Sequence, residues 1–468
     1  MFNPKRQHPL MIVVSFLELL KSFLVPLLFV AVVQYLSGEG GGFNPGYLLA
    51  PAGIITLSVI AAVFHWGFYR YDYLEDRLYI KKGVFFKQER TIERERIQTI
   101  HIEAGLIHRF FKLVKVSVET AGGLGESELE IKALERDKAY SLKETLENGH
   151  VSEKSEETSS DVSDEGYQVS FIRLLAAGLT SGSVFMIMGV VLAFALQFTF
   201  LIPDDVWSDI QALSAAIIGF LIAFYVLASW VVSVIRYAIT YAFYTVNKHN
   251  EEISIKRGLI RQKHLSLKEH RIQSVSFIEG ILRQPFRVGT IQVDVAGGSG
   301  YKEASKTVTH PLIRQEELKG YFDYAFTAHR YASDVHPLPK RALRRYVIRS
   351  ALPFAVPMAI LAFFTVHTLW LFIPMALSVL LGIQRHRDNG MRIDKRQLNL
   401  CIRWIARTTT LIRKNHIQSL TISRNILQRF RKLSTIHIRV LSSPSSVVYT
   451  LKDVDVDEAV ALYEWLKQ

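Results

Sequence analysis

The sequence predicts an integral membrane protein of three repeats, each an α-helical transmembrane hairpin followed by a small β-rich cytoplasmic domain with a C-terminal helix. Three observations give this prediction: long uncharged runs, basic residues concentrated on one side of those runs, and one short motif that occurs three times in 468 residues. Composition agrees, because 49% hydrophobic residues coexist with 21% charged residues. The single cysteine, Cys401, excludes an intrachain disulfide framework.

Runs without a charged residue predict the membrane spans. Gly46–Tyr69, Leu174–Ile202 and Ala212–Ile235 contain no Asp, Glu, Lys or Arg. Each can cross a hydrocarbon core of about 30 Å, which takes about 20 helical residues. The run Ser350–Ile383 is too long for one span and contains prolines, so it predicts two short helices. With a retained N-terminal anchor at Leu10–Leu36, the prediction is six spans in three hairpins.

Two charged residues of the first run, Glu18 and Lys21, lie one helical turn apart. They predict either an intramembrane ion pair that lines a pathway or an interfacial pair at the start of the helix. The interfacial interpretation is favoured because both residues lie toward the basic N-terminal end.

The loops predict the orientation of the spans. The loops after the first and third spans and the turn near His367 contain no Lys or Arg, whereas the opposite ends of the spans are rich in both. The positive-inside rule then predicts that both termini and all three hydrophilic blocks are cytoplasmic.

A ten-residue motif recurs along the chain. RIQTIHIEAG at Arg96–Gly105 returns as RIQSVSFIEG at Arg271–Gly280 and as HIQSLTISRN at His416–Asn425. A shift of 175 residues matches 9 of 28 positions without a gap between Arg96–Gly123 and Arg271–Gly298, and a further shift of 145 residues reaches the third copy. Ungapped shifts that keep the hydrophobic positions indicate a shared structure.

The positions of this motif have structural interpretations. Gly105, Gly280 and Asn425 are equivalent, and both residue types tolerate positive φ, so a left-handed backbone is predicted there. The isoleucine is predicted to anchor a strand in the core, and the glutamine to satisfy backbone groups at a strand crossover. The residues with predicted structural roles are Arg96, Gln98, Gly105, Arg271, Gln273, Gly280, His416, Gln418 and Asn425.

Alternating apolar and polar residues, as in RLYIKKG, EISIKRG and QLNLCIR, predict antiparallel β-strands in each repeat. Glycine pairs at 122–123 and 297–298 predict hairpin turns, since no Gly-Lys-Ser/Thr follows to make a phosphate loop. Each repeat ends in a predicted helix: Ala133–Glu147, Gln315–Phe326 and Val456–Leu466. Strands closed by one helix predict a small sandwich or barrel capped at one end.

These patterns divide the chain into seven segments. Residues 147–166 hold seven acidic residues and one basic residue, and predict a flexible linker because little apolar surface is available to bury. The predicted segments are hairpin 1 (1–69), domain 1 (70–148), the acidic linker (149–168), hairpin 2 (169–235), domain 2 (236–330), a basic segment with hairpin 3 (331–384) and domain 3 (385–468).

The hairpin-plus-domain plan, the R-I-Q-[ST]-[IV] motif, the glycine nine residues on and the closing AGG resemble the bacterial pleckstrin-homology (PH) domain multi-spanning membrane proteins, in particular the YdbT-type with three repeated units. The resemblance covers nearly the whole chain. It implies PH-like barrels of two orthogonal sheets with a C-terminal helix, a place in the bacterial cell membrane, and no defined biochemical activity. It also implies a smaller PH-domain membrane protein as partner and a role in envelope defence against membrane-active peptides.

Charge predicts membrane lipid as a partner. The hydrophilic block Arg70–Leu146 has a net charge of +1, whereas the blocks Arg236–Arg345 and Gln384–Gln468 have a net charge of +9 each. An anionic cytoplasmic leaflet attracts each nearby Lys or Arg by about 1 kcal/mol. Nucleic acid is not expected, since no nucleic-acid motif accompanies the charge. The candidate headgroup contacts, directly before the fifth span, are Lys340, Arg341, Arg344 and Arg345.

No catalytic, cofactor or metal site is predicted, since H-E-x-x-H, G-x-S-x-G and clustered Cys/His patterns are absent. The leading interpretation is a non-enzymatic membrane protein whose cytoplasmic domains bind anionic lipid or partner proteins in envelope protection. Two alternatives stay open: a transporter or exporter subunit that uses Glu18 and Lys21, and a homo-oligomeric signalling scaffold.

Overall fold

The fold divides into two compact units. One consists of Met1–Gly123, Ser127–Thr245 and Ile255–Ser266, and the other of Leu124–Glu126, Val246–Ser254 and Leu267–Gln468. We call them unit 1 and unit 2. The computed structural model describes residues 5–18, 20, 46–74, 76–83, 86–120, 129–148, 166–182, 188–189, 192, 215–296, 306–332, 334–361, 372–442 and 446–468.

Unit 1 begins with a four-stranded antiparallel sheet. Apolar side chains on one face of the sheet, among them Leu78, Ile80 and Ile92, are buried in the core of domain 1. Their alternation with exposed polar residues is the period-2 pattern of a half-buried sheet. The strand order is β1 (Lys5–Arg6), β2 (Arg70–Leu74), β3 (Arg77–Lys82) and β4 (Gln88–Glu93).

The second sheet of unit 1 combines strands of two repeats. Three strands belong to domain 1: β5 (Ile97–Ala104), β6 (Leu113–Thr120) and β7 (Leu129–Glu135). The next strands along the chain are β8 (Tyr167–Gln168), β9 (Thr245–His249), β10 (Glu252–Arg257) and β11 (Gln262–Lys268). Within unit 1 the order is β7-β6-β5-β11, with β11 antiparallel to β5.

Unit 2 also contains a sheet that combines strands of two repeats. A seven-stranded sheet has the order β14-β13-β12-β18-β17-β16-β15, and a three-stranded sheet has the order β19-β20-β21. The first group along the chain is β12 (Ile272–Glu279), β13 (Val288–Val295), β14 (Lys306–Arg314) and β15 (His336–Pro337). The second is β16 (Gly390–Ile393), β17 (Gln397–Arg403), β18 (Arg407–Arg413), β19 (Ile417–Ser423), β20 (Leu433–Val440) and β21 (Val447–Asp455).

The described helices include three that close domains, two short ones that connect strands within domains, and others near the predicted spans. The first five are α1 (Gly46–Phe68), α2 (Leu106–Phe110), α3 (Arg136–Asn148), α4 (Phe171–Leu179) and α5 (Ala215–Tyr241). The second five are α6 (Leu318–Ala325), α7 (Leu343–Leu361), α8 (Phe372–Asp388), α9 (Ile426–Arg429) and α10 (Val456–Lys467). The predicted closing helices are confirmed as α3, α6 and α10. Both α3 and α6 begin three residues later than predicted, because β7 continues to Glu135 before α3 and a turn at residues 315–317 separates β14 from α6.

One helix within the described residues, Gly219–Tyr241 in α5, is long and apolar enough to cross a membrane. Gly53–Phe68 in α1 is a shorter apolar helix. Large parts of the other predicted spans, and both glycine-pair turns, lie outside the described residues. The count of six spans in three hairpins therefore stays a prediction.

The repeated motif forms a 3₁₀ turn followed by a β-bulge. The turns Arg94–Arg96, Glu269–Arg271 and Lys414–His416 lead from the last strand of one sheet into the first strand of the next. Strand register then shifts between Ile97 and Thr99, Ile272 and Ser274, and Ile417 and Ser419. The motif glutamine is thus the extra residue of a bulge in every repeat.

Burial of the motif differs between the repeats. Ile272 is fully buried and Gln273 is 8% exposed, with Nε2 of Gln273 donating to the carbonyl oxygen of Arg271 at 3.3 Å. Ile97 and Ile417 are half-buried, and Gln418 is exposed. The second copy is therefore the most enclosed of the three.

The predicted left-handed backbone at Gly105, Gly280 and Asn425 is wrong. Gly105 has φ −76° and Asn425 has φ −82°, both with extended backbone, and Gly280 is not among the positive-φ residues. Gly105 and Asn425 are helix N-caps instead. Asn425 forms a capping box with Gln428, in which its side chain accepts from N of Gln428 at 2.8 Å. Asparagine and glycine alternate here because both are accepted at N-caps.

Left-handed residues occur a little later in each repeat. Lys112, Arg287 and Lys432 have φ of 54°, 52° and 52°, and the shifts of 175 and 145 residues relate them. The carbonyl oxygen of each accepts a backbone N–H from the start of the closing-helix segment, at 3.1, 2.9 and 3.3 Å. The three acceptor–donor pairs are Lys112 with Arg136, Arg287 with Gln315, and Lys432 with Val456.

Replacing Gln273 with Ala is expected to destabilise the protein by about 1 kcal/mol, because a nearly buried hydrogen bond at the bulge is lost. Thermal unfolding of the full-length protein in detergent would measure the change. Gln418→Ala is the matched control and should have a smaller effect, since Gln418 is exposed. Equal effects of the two substitutions would contradict the importance of burial at the bulge.

Candidate anion-binding cleft and helix anchors

Unit 2 contains a wide cleft of about 1160 Å³ with a strongly basic lining. One wall is the segment after α6, and the other comprises the β16–β17 hairpin and the 3₁₀ turn after β18. One acidic residue, Asp394, lines it. We call this the basic cleft and define it by its five basic lining residues: Arg330, Lys395, Arg396, Arg413 and Lys414.

Backbone hydrogen bonds position the two basic residues at the tip of the β16–β17 hairpin. N of Asp394 donates to the carbonyl oxygen of Gln397 at 2.8 Å, which closes the β16–β17 hairpin and leaves Lys395 and Arg396 exposed at its tip. N of Lys414 donates to the carbonyl oxygen of Arg396 at 3.0 Å and ties the hairpin to the 3₁₀ turn. The tip is therefore held at both ends while its side chains stay in solvent.

The side chain of Gln397 joins the two walls of the basic cleft. Its Oε1 accepts from N of Arg330 at 3.1 Å, and its Nε2 donates to the carbonyl oxygen of Arg330 at 2.8 Å. Gln397 is only 7% exposed, so these bonds are shielded from water. This reciprocal pair fixes the backbone of Arg330 opposite the hairpin tip.

A buried carboxylate supports the wall next to Arg330. Glu269 is 6% exposed; it accepts from N of Ala328 at 2.9 Å and from Oγ1 of Thr327 at 2.8 Å. Nζ of Lys248 lies 3.0 Å from its other oxygen. The negative charge of Glu269 is thus used within the wall and does not neutralise the cleft.

The electrostatic environment of the basic cleft favours an anion. Among the described residues, none of its five bases forms an ion pair with an acid, and Lys414 instead lies 5.4 Å over the ring of Trp465. Burial, and then the nearby Arg413, lower the pKa of His329 to about 3. Burial and Arg413 also lower the pKa of His416. Arg413 therefore contributes, after burial, a positive field that disfavours protonation of these imidazoles, and a positive field of this kind stabilises a bound anion.

Two of the four predicted headgroup contacts form ion pairs with domain 3. Arg341 pairs with Asp455, and Nε of Arg345 lies 2.8 Å from Oδ1 of Asp453. Lys340 and Arg344 are exposed. Of the four basic residues, Arg341 and Arg345 therefore hold α7 against domain 3, whereas the side chains of Lys340 and Arg344 are exposed to solvent.

Asp453 is the centre of the anchor that holds α7 on β21. Its side chain is fully buried, lies 2.8 Å from both Arg345 and Arg349 of α7, and accepts from Nε2 of Gln428 at 2.9 Å. The Tyr346 hydroxyl adds a bond to the carbonyl oxygen of Lys452 at 3.0 Å. Sequence reasoning missed Asp453, because its arginine partners lie more than 100 residues away and no local pattern marks it.

Unit 1 has an anchor of opposite polarity. Glu18, at the end of the helical residues 11–18, places Oε2 2.7 Å from Nζ of Lys132 on β7. Gln7 reinforces the contact, since its Oε1 accepts from N of Lys132 at 3.2 Å and its carbonyl oxygen from Nε1 of Trp66 at 2.9 Å. Glu18 therefore contacts the β-domain, and its predicted partner Lys21 lies outside the described residues.

Groups suited to catalysis are poorly placed where the structure describes them. No group of three or more His, Cys, Asp or Glu residues could hold a metal ion within that part of the chain. Cys401 is 1% exposed, and burial raises the pKa of its thiol, which disfavours the reactive thiolate.

Comparison with known proteins decides the family. The bacterial PH domain family matches the chain over residues 16–150, 174–323 and 351–468. This chain belongs to the bacterial PH domain family. It is similar to the UPF0699 transmembrane protein YdbT of Bacillus subtilis (strain 168), with 29% identity over 497 residues that cover 99% of this chain and 98% of that protein.

The comparison confirms the resemblance stated from the motif, the internal repeats and the membrane localisation. Each matched segment begins within or near an apolar run and ends after the closing helix or within it. The repeated unit of this bacterial PH-domain protein thus includes apolar sequence as well as the β-rich domain. Neither comparison describes an activity.

Asp453→Asn is expected to destabilise unit 2 by about 3 kcal/mol, because Arg345 and Arg349 lose a buried counter-charge while the polar side chain keeps its shape. Thermal unfolding of the full-length protein would report the loss, and hydrogen exchange would locate it at α7 and β21. Asp457→Asn, at an exposed acid of α10, is the control and should stay within about 0.5 kcal/mol of the parent. An unchanged exchange rate in α7 would overturn the anchor role of Asp453.

Proposed function

We propose that this bacterial PH-domain membrane protein is a non-enzymatic membrane scaffold that binds anionic lipid headgroups through its basic cleft. The observation that carries the proposal is the set of five basic residues around one open cleft with no ion pair among the described residues. Lipid phosphate is the ligand chemistry that fits, because Arg and Lys hydrogen-bond phosphate oxygens with charge assistance. Each basic residue near an anionic leaflet contributes about 1 kcal/mol of attraction.

A cytoplasmic position of the domains, which we also propose, fits this ligand. The loops without Lys and Arg predict this position by the positive-inside rule. The pairing of β1 with β2 supports a common side of the membrane for Lys5, Arg6 and domain 1. We extend the proposal to six spans with both termini and all three domains in the cytoplasm. The basic cleft would then face the leaflet that carries anionic lipid.

The predicted contacts before α7 enter the proposal in a narrower form. Lys340 and Arg344 are exposed and are proposed to contact headgroups. Arg341 and Arg345 are proposed to act in docking α7, since both pair with acids of domain 3. A role for Glu18 in transport is not favoured, because its carboxylate already contacts Lys132 at the domain surface.

The biological role that we propose is protection of the envelope against membrane-active peptides. The proposed domains would act from the cytoplasmic face of the membrane that such peptides attack, and the six proposed spans would hold the protein in that membrane. A smaller PH-domain membrane protein is proposed as a partner in this role.

Lipid binding can be tested by native mass spectrometry of the full-length protein with added phosphatidylglycerol or phosphatidylcholine. The variant Lys395→Ala/Arg396→Ala/Arg413→Ala is expected to bind phosphatidylglycerol at least about tenfold more weakly, since three charges of about 1 kcal/mol each are removed. The control Lys268→Ala/Lys306→Ala/Lys319→Ala removes equal charge from exposed positions outside the cleft and should bind as the parent does.

Three results would contradict the proposal: equal loss in both triple variants, equal binding of the two lipids, or full competition by soluble glycerol phosphate. Equal loss in both triple variants would indicate general electrostatic attraction. Equal binding of the two lipids would indicate a lipid contact that does not depend on charge, and full competition by glycerol phosphate would indicate a soluble phosphate ligand.

Envelope protection can be tested by deleting the gene and challenging cells with a panel of membrane-active peptides. Deletion is expected to raise sensitivity to at least one cationic peptide, and the parent gene should restore resistance while the Lys395→Ala/Arg396→Ala/Arg413→Ala variant should not. Growth curves across peptide concentrations give the measurement. Unchanged sensitivity throughout the panel counts against the protective role and leaves the lipid measurement to be judged by itself.

A further inference from the structure

Successive repeats of this chain are joined edge to edge by β-strand pairing. In unit 1, β11 of the second repeat pairs antiparallel with β5 of the first. In unit 2, β18 of the third repeat pairs antiparallel with β12 of the second. The third strand of each later domain thus extends the sheet that begins with the motif strand of the domain before it.

The two junctions have the same register. In unit 1, Gln262 lies opposite Ala104 and Lys263 opposite Glu103. Adding 145 to the β11 residues and 175 to the β5 residues gives Arg407 opposite Glu279 and Thr408 opposite Ile278. These are the pairs observed in unit 2. A repeated register means that the junction is a property of the repeat and not of one pair of sequences.

Side chains strengthen each junction at the same end. Glu103, buried on β5, lies 2.9 Å from Arg261 and 3.7 Å from Lys263. Glu279, buried at the equivalent end of β12, lies 3.8 Å from Arg407. Both junctions therefore combine backbone hydrogen bonds with a nearly buried acid–base contact.

Two strand edges lack the neighbour that their counterparts have. Among the described strands, β4 is the outer strand of its sheet, whereas its equivalents β11 and β18 are paired on both sides. β19 likewise has β20 as its one described neighbour, whereas its equivalents β5 and β12 each have two. The other sheet edges, such as β7, β14 and β21, have the same edge position in all three repeats.

The side chains of the two outer strands, β4 and β19, are more exposed than those of their paired equivalents. β12 is buried at seven of its eight residues, but all residues of β19 are exposed or half-buried, including Leu420 and Ile422. β18 has four buried residues in its centre, whereas β4 has one, Ile92. An exposed edge with unpaired backbone groups is a template for another strand.

We propose that β19 of one molecule pairs antiparallel with β4 of a second copy of this chain, in the register of the two internal junctions. The occupant is a second copy because one chain carries both halves of the same junction, at opposite ends of its row of repeats. The equivalent register places Thr91 opposite Leu420 and Ile92 opposite Ser419. Such a contact is head-to-tail, so it continues into a ring or an open row of molecules in the membrane plane.

Disulfide trapping in native membranes tests this contact. The variant Thr91→Cys/Leu420→Cys is expected to give a ladder of covalent dimers and higher oligomers on oxidation, because opposed Cα atoms in an antiparallel pair are about 4.5–5.5 Å apart, within disulfide range. Co-expressed single variants, Thr91→Cys with Leu420→Cys, should give dimers alone. The parent chain is the background, since its own Cys401 is buried.

The control pair Lys138→Cys/Lys467→Cys places cysteines at exposed positions of α3 and α10, away from both edges, and should give no ladder. Unchanged thermal unfolding of each variant establishes that it is folded. Four results would overturn the proposal: no ladder above the control, dimers from either single variant alone, equal trapping by Glu93→Cys/Leu420→Cys, or capture of a smaller protein in place of the second copy. None of these results depends on lipid binding.

Discussion

Backbone hydrogen bonding at strand edges is the constraint on which this molecule is organised. A strand placed at the edge of a sheet leaves N–H and C=O groups that must find partners or water. In this chain the motif strands β5 and β12 take as partners the third strand of the next repeat, so each junction completes two domains at once. The 3₁₀ turn of the motif precedes these strands and the bulge lies at their start, so together they set where regular pairing begins.

Charged side chains connect two helices of the predicted spans to the domains, and the polarity of the ion pairs differs between the two described anchors. In unit 1 a helix carboxylate, Glu18, meets a strand lysine, Lys132. In unit 2 the helix arginines Arg345 and Arg349 meet a buried strand aspartate, Asp453. Exchange of the two helices would oppose like charges, which is costly in buried surroundings. Reversed polarity thus gives each helix a preference for its own domain in a chain whose repeats are otherwise similar.

Much of the fold could be predicted from the sequence, because periodicity and repetition are local properties. The strands, the three closing helices and the family follow from alternation, ungapped shifts and the Arg-Ile-Gln motif. The basic cleft could have been suspected from Asp394-Lys-Arg at a turn, but its shape depends on Arg330 and Gln397 meeting across the sequence. Asp453 and the free edges depend on tertiary pairing, and no pattern within one repeat reports them. The error at Gly105 and Asn425 arose because two physical uses, positive φ and N-capping, favour the same residue types.

The left-handed residues Lys112, Arg287 and Lys432 have a consequence for how such repeats diverge. Each points its carbonyl oxygen at the start of the closing-helix segment, so a conformation, and not a particular side chain, joins the middle of the domain to its end. Selection on this connection acts through backbone geometry that several residue types can adopt at a cost of about 1–2 kcal/mol. Side chains elsewhere can therefore differ between the repeats while the path of the backbone stays the same. The third repeat, which has neither the motif arginine nor the glycine pair, is accordingly folded like the first two.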